Sequence, residues 1–309
     1  MIIDLFDLTV ILGILSSGIR LATPYLYASI GEAFSQRSGV LNLGVEGQML
    51  MGAFTGFYVV INTGNLWLGV LAAIIVGALM GLAMAFVTVN LHAKQGISGI
   101  GFYLFGLGMS TLLFQLLIGT VETVRGFPQL EIPLLVDIPF IGPIFFNQNI
   151  LVYIAFLLVP IAWFVLNKTT LGLKIRAVGE NPQAADSLGV SVNGVRYFTI
   201  IIGGAFSGMG GASLSIALLN VFQQNMTAGL GFIAVALVYF GGWRPWGVLA
   251  GALLFSMVNA LQLWIQVLGI NIPSELAVML PYILTILVLA ASGSKMVAPS
   301  ALTKPFERE

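Results

Sequence analysis

The chain has 309 residues, of which 58% are hydrophobic and 8% charged, where a soluble domain carries about 25% charge. Twelve basic and twelve acidic residues balance, so the basic footprint of a nucleic-acid-binding protein is excluded. The lack of cysteine excludes disulfides and thiolate metal sites. With a mean hydropathy of +1.02, the composition describes an integral membrane protein.

The N-terminal stretch has Asp4 and Asp7 and no basic residue before Arg20, so no cleavable secretory signal is expected. A bilayer core needs about 20 apolar residues per helix. In chain order this predicts nine spans: 8–30, 40–61, 66–91, 97–118, 150–166, 195–220, 230–242, 246–268 and 276–291. The seventh is short, as a broken or tilted helix would be. The expected fold is all-α: one polytopic transmembrane domain over residues 1–309 with about nine helices, eight and ten being the bounds.

Basic residues set the orientation. With the 167–196 loop inside, alternation places Arg37, Lys94, Arg244, Lys295, Lys304 and Arg308 inside too. Only Arg125 falls in an outer loop, and Arg20 lies within the first span. The outer loops hold Asp4, Asp7, Glu122, Glu131, Asp137 and Glu275. The expected topology is N-out, C-in.

Polar residues inside a bilayer are costly and default to functional hypotheses. Arg20 calls for an acidic or carbonyl partner. Asn42, Glu46 and Gln48 open the second span, and Glu46 either tethers that end or gates it. Its sequence distance from Val40 puts it near the cytoplasmic edge. Gln115 lies in the fourth span, and Asn259, Gln262 and Gln266 in the eighth. Gly52/Gly56, Gly77/Gly81, Gly204/Gly208 and Gly247/Gly251 sit four apart, the spacing that lets helices approach closely within one chain or between two. GGAFSGMGGAS (203–213) carries five glycines, more than packing alone asks for, and suggests an irregular or mobile helix, tolerable where backbone lines a cavity. A substrate path between the second and sixth spans would be lined by Asn42, Glu46, Gln48, Phe102, Gln115 and Gly208.

The outer loop 119–149 is stiffened by Pro128, Pro133, Pro139 and Pro143. It reads as a partly re-entrant gate, a docking surface for an external protein, or a stiff connector on the membrane surface. The polar island NKTTLGLKIRAVGENPQAADSLGVSVNGVR (167–196) interrupts the apolar runs. Asn181 suits a helix cap, Pro182 its first position and Gly189 its end, so a two-turn helix over 182–188 is predicted, turning Ala184, Ala185 and Leu188 outward. His92 is the only histidine, which excludes a histidine triad or multi-histidine metal site. No GxxxxGK[ST] loop occurs, so any ATP must be bound by a partner.

Three motifs together resemble the membrane-spanning subunits of ATP-binding-cassette (ABC) importers serving branched-chain amino acids, simple sugars and nucleosides. They are GEAFSQRSGVLNLGVEGQMLMGAF (31–54), TLGLKIRAVGENPQAADSLGVSV (170–192) and GLGFIAVALVYFGGWRPWGVLAGALLF (229–255). GVLNLGVEGQM and FGGWRPWG resemble the nucleoside branch most, with this chain like the shorter of two unlike permeases. The resemblance implies a coupling helix that docks in an ATPase, using Lys174, Arg176, Gly179, Glu180, Asn181, Pro182, Ala184, Ala185, Asp186, Leu188 and Gly189. It further implies partner ATPase subunits carrying ATP and Mg, a second permease, an extracytoplasmic substrate-binding lipoprotein, and residence in the cell membrane. No cofactor or metal is expected on this chain. Ribose-type sugar or branched-chain amino acid import is the alternative within the family. An ion-coupled secondary transporter is the alternative outside it, and the few membrane acids and the capped helix count against that. An intramembrane enzyme lacks its catalytic groups.

Overall fold

The computed structural model describes residues 7–133, 135–268 and 297–307, with Leu276, Met279, Leu280, Ile283, Ile286, Leu287 and Ala290 between them. Most of the expected ninth span, together with Asp4, Glu275, Lys295 and Arg308, lies outside the described residues. The chain forms α1 (Leu8–Arg37), α2 (Val45–Thr63), α3 (Leu66–Ala85), α4 (Gln95–Leu117), α5 (Ile141–Phe145), α6 (Ile150–Lys168), α7 (Thr170–Glu180), α8 (Pro182–Ser187), α9 (Val192–Ser213), α10 (Leu230–Phe240) and α11 (Pro245–Val267). α3 and α9 each end in a π-helical turn, Phe86–Asn90 and Leu214–Leu218. Two short strands, β1 (Gln129–Glu131) and β2 (Asn147–Asn149), pair antiparallel across the 119–149 loop.

Among the described residues six helices are long and apolar enough to cross a membrane: α1, α3 with its π turn, α4, α6, α9 with its π turn, and α11. Their outer faces are those of a bilayer protein. Leu68, Leu71, Ile75, Leu79, Leu82 and Phe86 make an exposed stripe on α3, and Ile97, Ile100, Leu104, Leu112 and Leu116 another on α4. Such continuous apolar exposure is foreign to a soluble surface. Two expected spans take another form. α2 starts at Val45 rather than Val40, because residues 38–44 are not helical, and α10 has only 11 residues.

α9 is the centre of the bundle, and α1, α2 and α3 pack around it. Its glycines make this possible. A Cβ on Gly208 would strike the Ala73 carbonyl of α3, and one on Gly52 of α2 would strike Gly208 itself. Gly77 meets Gly204, Gly211 meets the Met49 carbonyl, and Gly203 approaches Gly31 of α1. The expectation of an irregular helix beside a cavity is therefore corrected: Gly203–Ser213 is regular α-helix, and its glycines are filled by neighbouring backbone. Only the following π turn departs from it.

One end of the bundle gathers the α1 terminus, α7, α8, His92 and residues 297–307. The other end carries the β1–β2 loop, where Trp67 and Phe127 stack edge to face.

Gly208→Ala is expected to cost about 1–3 kcal/mol, because the added methyl meets backbone that cannot rotate aside. Gly96, where a Cβ would meet nothing within 4 Å, should accept alanine without loss. Thermal unfolding of the two purified variants checks this, and equal Tm values would contradict the seam.

Candidate functional site

The first-loop motif leaves α1 at Arg37 and turns at Gly39, whose φ of +92° favours glycine. It then runs non-helical to Gly44 inside the bundle, where backbone donors need partners. Val40 N–H donates to the Ser35 carbonyl (3.1 Å), Leu41 N–H to Gln95 Oε1 (2.8 Å) and Asn42 N–H to Glu32 Oε1 (3.0 Å). Gly44 N–H donates to Asn42 Oδ1 (2.9 Å), which closes the turn into α2. Ser38, Glu32, Gln36, Asn42 and Gln48 are all fully buried in this network.

The late motif is locked into the same network. Trp243, in the turn between α10 and α11, donates its indole N–H to Gln36 Oε1 (2.8 Å). Gln36 Nε2 donates to Glu32 Oε1 (2.9 Å), and Arg37 Nε to the Trp243 carbonyl (2.8 Å). Two sequence motifs some 200 residues apart thus form one polar joint at the base of α1.

Above that joint sits Glu46, buried in the first turn of α2. Its Oε1 accepts from the Thr227 hydroxyl (2.6 Å) and Gly229 N–H (2.8 Å), and its Oε2 accepts from Gly231 N–H (2.6 Å). The carboxylate therefore caps the N-terminus of α10, where unsatisfied N–H groups and the helix dipole favour a negative charge. Val45 and Met49 share an apolar cluster with Ala28, about 14 Å along α1 from Arg37 at 1.5 Å per residue. Gly47 abuts Phe102 and Gly106, mid-way along the 23-residue α4. Glu46 is thus well inside the bundle, not at its edge. The sequence distance from Val40 misplaced it because the non-helical 38–44 segment climbs before α2 begins. These hydrogen bonds tether the start of α2 to the start of α10.

The polar island is two helices, not one. Thr169 caps α7 by accepting from Gly172 N–H (3.1 Å), and α7 buries Ile175, Val178 and Gly179 against the bundle. The apolar spacing Leu171, Ile175, Val178 was the available signal for α7. Asn181 caps α8 through Ala184 N–H (3.0 Å), Pro182 takes its first position, and Gly189 follows at φ +81°, as expected. The expected outward face is corrected at Ala185, which is buried inside the chain, while Ala184 is exposed and Leu188 is 85% exposed. The helix must bury one small residue to seat on α9, and Ala185 is the one that fits. Lys174 is exposed, Arg176 and Asp186 are half-buried, and Gly179 packs directly on the Arg37 carbonyl.

Residues 297–307 strap this end, a feature the sequence did not signal. Ser300 donates to Glu180 (3.0 Å), Ala301 N–H to the Gly179 carbonyl (2.9 Å) and Thr303 N–H to the Gly39 carbonyl (3.1 Å). His92 Nε2 lies 3.2 Å from the Phe306 carbonyl. Clefts of about 550 Å³ (His92, Asp186, Val190, Phe306) and about 310 Å³ (Glu180, Gln183, Lys304) flank α8.

Among the described residues, the six expected along a substrate path are spread over several places in the bundle. Asn42 Nδ2 donates to Gln48 Oε1 (3.1 Å), and Phe102 is half-buried over Gly44 and Gly47. Gln115 is exposed near the far end of α4, and Gly208 is enclosed between α2 and α3. Arg20 is half-buried on α1, and its Nε has no hydrogen-bond partner among the described residues.

The fold and this joint define a polytopic helical membrane protein with a helix-and-strap platform at one end. Residues 14–289 match the family described as branched-chain amino acid transport system / permease component, and the chain belongs to that family. It is 40% identical to a putative glucose ABC transporter permease of Haloferax volcanii, over 96% of this chain and 98% of that one. It is 37% identical to the guanosine ABC transporter permease protein NupQ of Bacillus subtilis (92% and 93% covered). It is 38% identical to the nucleoside ABC transporter permease protein NupC of Lactococcus lactis (91% and 92% covered). The Bacillus subtilis guanosine permease protein NupP also matches, at 27%, over 89% of this chain but 80% of its own length. No solved structure matches the chain significantly. The protein is a multi-pass membrane permease of the ABC type.

Glu46→Leu strands one hydroxyl and two backbone N–H groups, at about 1–3 kcal/mol each. Its Tm should fall steeply, and that of Thr227→Ala, which removes one donor, should fall less. An unchanged Tm for Glu46→Leu would contradict the tether.

Proposed function

We propose that the chain is one of two unlike permease subunits of an ATP-driven importer of nucleosides, shorter than its partner. The observation that carries this is end-to-end similarity, over nine-tenths of both chains, to relatives named for guanosine and nucleoside transport. The GVLNLGVEGQM and FGGWRPWG wordings support the same branch. NupP, matched over a smaller share of its length than NupQ, supports pairing with a longer permease. Simple-sugar import is the second reading, favoured by the 40% identity to a putative glucose permease.

The charge partition supports N-out, C-in. Arg37, Lys94, Lys168, Lys174, Arg176, Arg244 and Lys304 belong to the α8 end, while the opposite end has Arg125 with Glu122, Glu131 and Asp137. In this reading nine helices cross the bilayer, with 276–291 as the last. Residues 167–196 are the cytoplasmic coupling region and 119–149 the outer loop, which meets a substrate-binding lipoprotein. The ATPase subunits bind ATP and Mg, and this chain binds neither. Leu188 and Ala184 supply the apolar contact of α8 with the ATPase, aided by Lys174, Arg176, Asn181, Pro182, Asp186 and Gly189. Gly179 and Glu180 connect α8 rigidly to the Arg37 end of α1 and to the strap. Movement of α8 then reaches the Trp243 joint and α10.

Reconstitution with the ATPase, the second permease and the lipoprotein tests the whole reading. ATP-dependent uptake of labelled guanosine, displaced by other nucleosides, is expected. Uptake of glucose alone would favour the second reading, and uptake driven by an ion gradient without ATP would overturn both. Leu188→Asp should leave the chain folded and inserted but lower stimulated ATP hydrolysis by roughly tenfold or more, as loss of an apolar interface anchor does. Ala185→Asp should instead lower Tm, since its side chain faces the bundle. Wild-type hydrolysis in Leu188→Asp would remove α8 from the ATPase interface.

A further inference from the structure

Between α9 and α10 the chain re-enters the bundle. Leu219 to Gly229 has no regular helix, and Asn220, Asn225, Ala228 and Gly229 all adopt left-handed backbone, with φ between +42° and +93°. The segment is nevertheless pinned along its length. Val221 pairs with Thr123, and the Asn220 carbonyl accepts from Val124 N–H (3.0 Å), both on the outer loop. Phe222 is fully buried against the rings of Phe54 and Phe57 of α2 and Phe114 of α4. Thr227 and Gly229 end on Glu46.

These anchors fix depth. Phe54 and Glu46 are about 12 Å apart along α2 at 1.5 Å per residue, so residues 223–226 lie beside α2 within the membrane-crossing part of the bundle. Gln223, Gln224 and Asn225 are all exposed there. Lipid is a poor neighbour for three amides and for non-helical backbone, which persist at this depth where they line water or protein. The segment and the stretches of helix on either side of it are also uncharged. No Asp, Glu, Lys, Arg or His occurs from residue 197 to 243, and the nearby Glu46 carboxylate has both oxygens occupied by donors.

We propose that this re-entrant segment lines the permeation path, with Gln223, Gln224 and Asn225 as the groups that contact the passing solute. Amides offer both donors and acceptors without charge. They suit an uncharged solute rich in hydroxyl and ring-nitrogen hydrogen-bonding groups, and they bring no formal charge to pair with that of an ion. The tether at Glu46 holds the segment open instead of binding the solute. The inference rests on the permease reading above and identifies which residues of this chain carry the path.

The natural absence of cysteine makes the test direct. Single variants Gln223→Cys, Gln224→Cys and Asn225→Cys, with Leu157→Cys on the exposed apolar face of α6 as control, are assembled with the partner subunits in vesicles. A charged, membrane-impermeant methanethiosulfonate reagent should modify the three path positions and not Leu157→Cys. Modification should lower guanosine uptake by roughly tenfold or more, while solute binding by the external lipoprotein is unchanged. Gln224→Ala supplies the same uptake comparison if a cysteine chain fails to reach the membrane. Modification of the three only by a lipid-soluble maleimide, or modification without loss of uptake, would overturn the assignment. Loss of ATP-dependent uptake in the unaltered complex would instead overturn the permease reading itself.

Discussion

A buried carboxylate in a bilayer protein is costly, and at Glu46 both oxygens are met by donors from the start of another helix. The N-terminus of α10 has backbone N–H groups that no helix can satisfy internally. Glu46 and Thr227 are buried away from water, so each of the two ends needs the other. This mutual requirement explains why α2 begins deep in the bundle and why α10 is only 11 residues long. Both are set by where the carboxylate and the α10 terminus meet.

The polar joint below follows from the same constraint. Because α2 starts deep, the chain must climb from Arg37 through residues 38–44 without helical hydrogen bonds. Glu32, Gln36, Asn42 and Gln95 supply the missing partners, and Trp243 connects them to the turn after α10. The Arg37 carbonyl then receives Gly179 at the end of α7, so the outermost helices rest on the same joint. A glycine is required there because a Cβ would occupy the carbonyl's place. The bundle is thus one connected object from α8 to the Glu46 tether, which is what a lever acting on a path needs.

Much of this was legible in the residues. Hydropathy placed six of the described helices (α3, α4, α6, α9, α10 and α11) within about three residues at each end, but stopped short of the end of α1 and began α2 too early. The Asn181, Pro182, Gly189 punctuation placed α8 closely. Other features were not legible, for particular reasons. The 38–44 segment is as apolar as the helix beside it, and its break is set by Gly39 and by tertiary partners such as Glu32. The glycines of α9 read as irregularity because sequence does not show that Gly52, Gly77 and Met49 backbone would fill them. Ala185 read as outward because a small apolar residue suits either face of so short a helix. The strap at 297–307 carries no motif, since most of its contacts use backbone groups. Gln223, Gln224 and Asn225 went unnoticed as a group because they lie between spans in the sequence and beside α2 in space.

The central claim is that Glu46 holds the α10 terminus, and with it the re-entrant segment, at membrane depth. Hydrogen–deuterium exchange of the peptide covering residues 227–231, compared between the wild-type chain and Glu46→Leu in lipid nanodiscs, tests it most directly. Slow exchange at Gly229 and Gly231 in the wild type, lost in the variant while α9 amides stay protected, is the predicted result. Equal protection of the two glycines in both proteins would contradict the account.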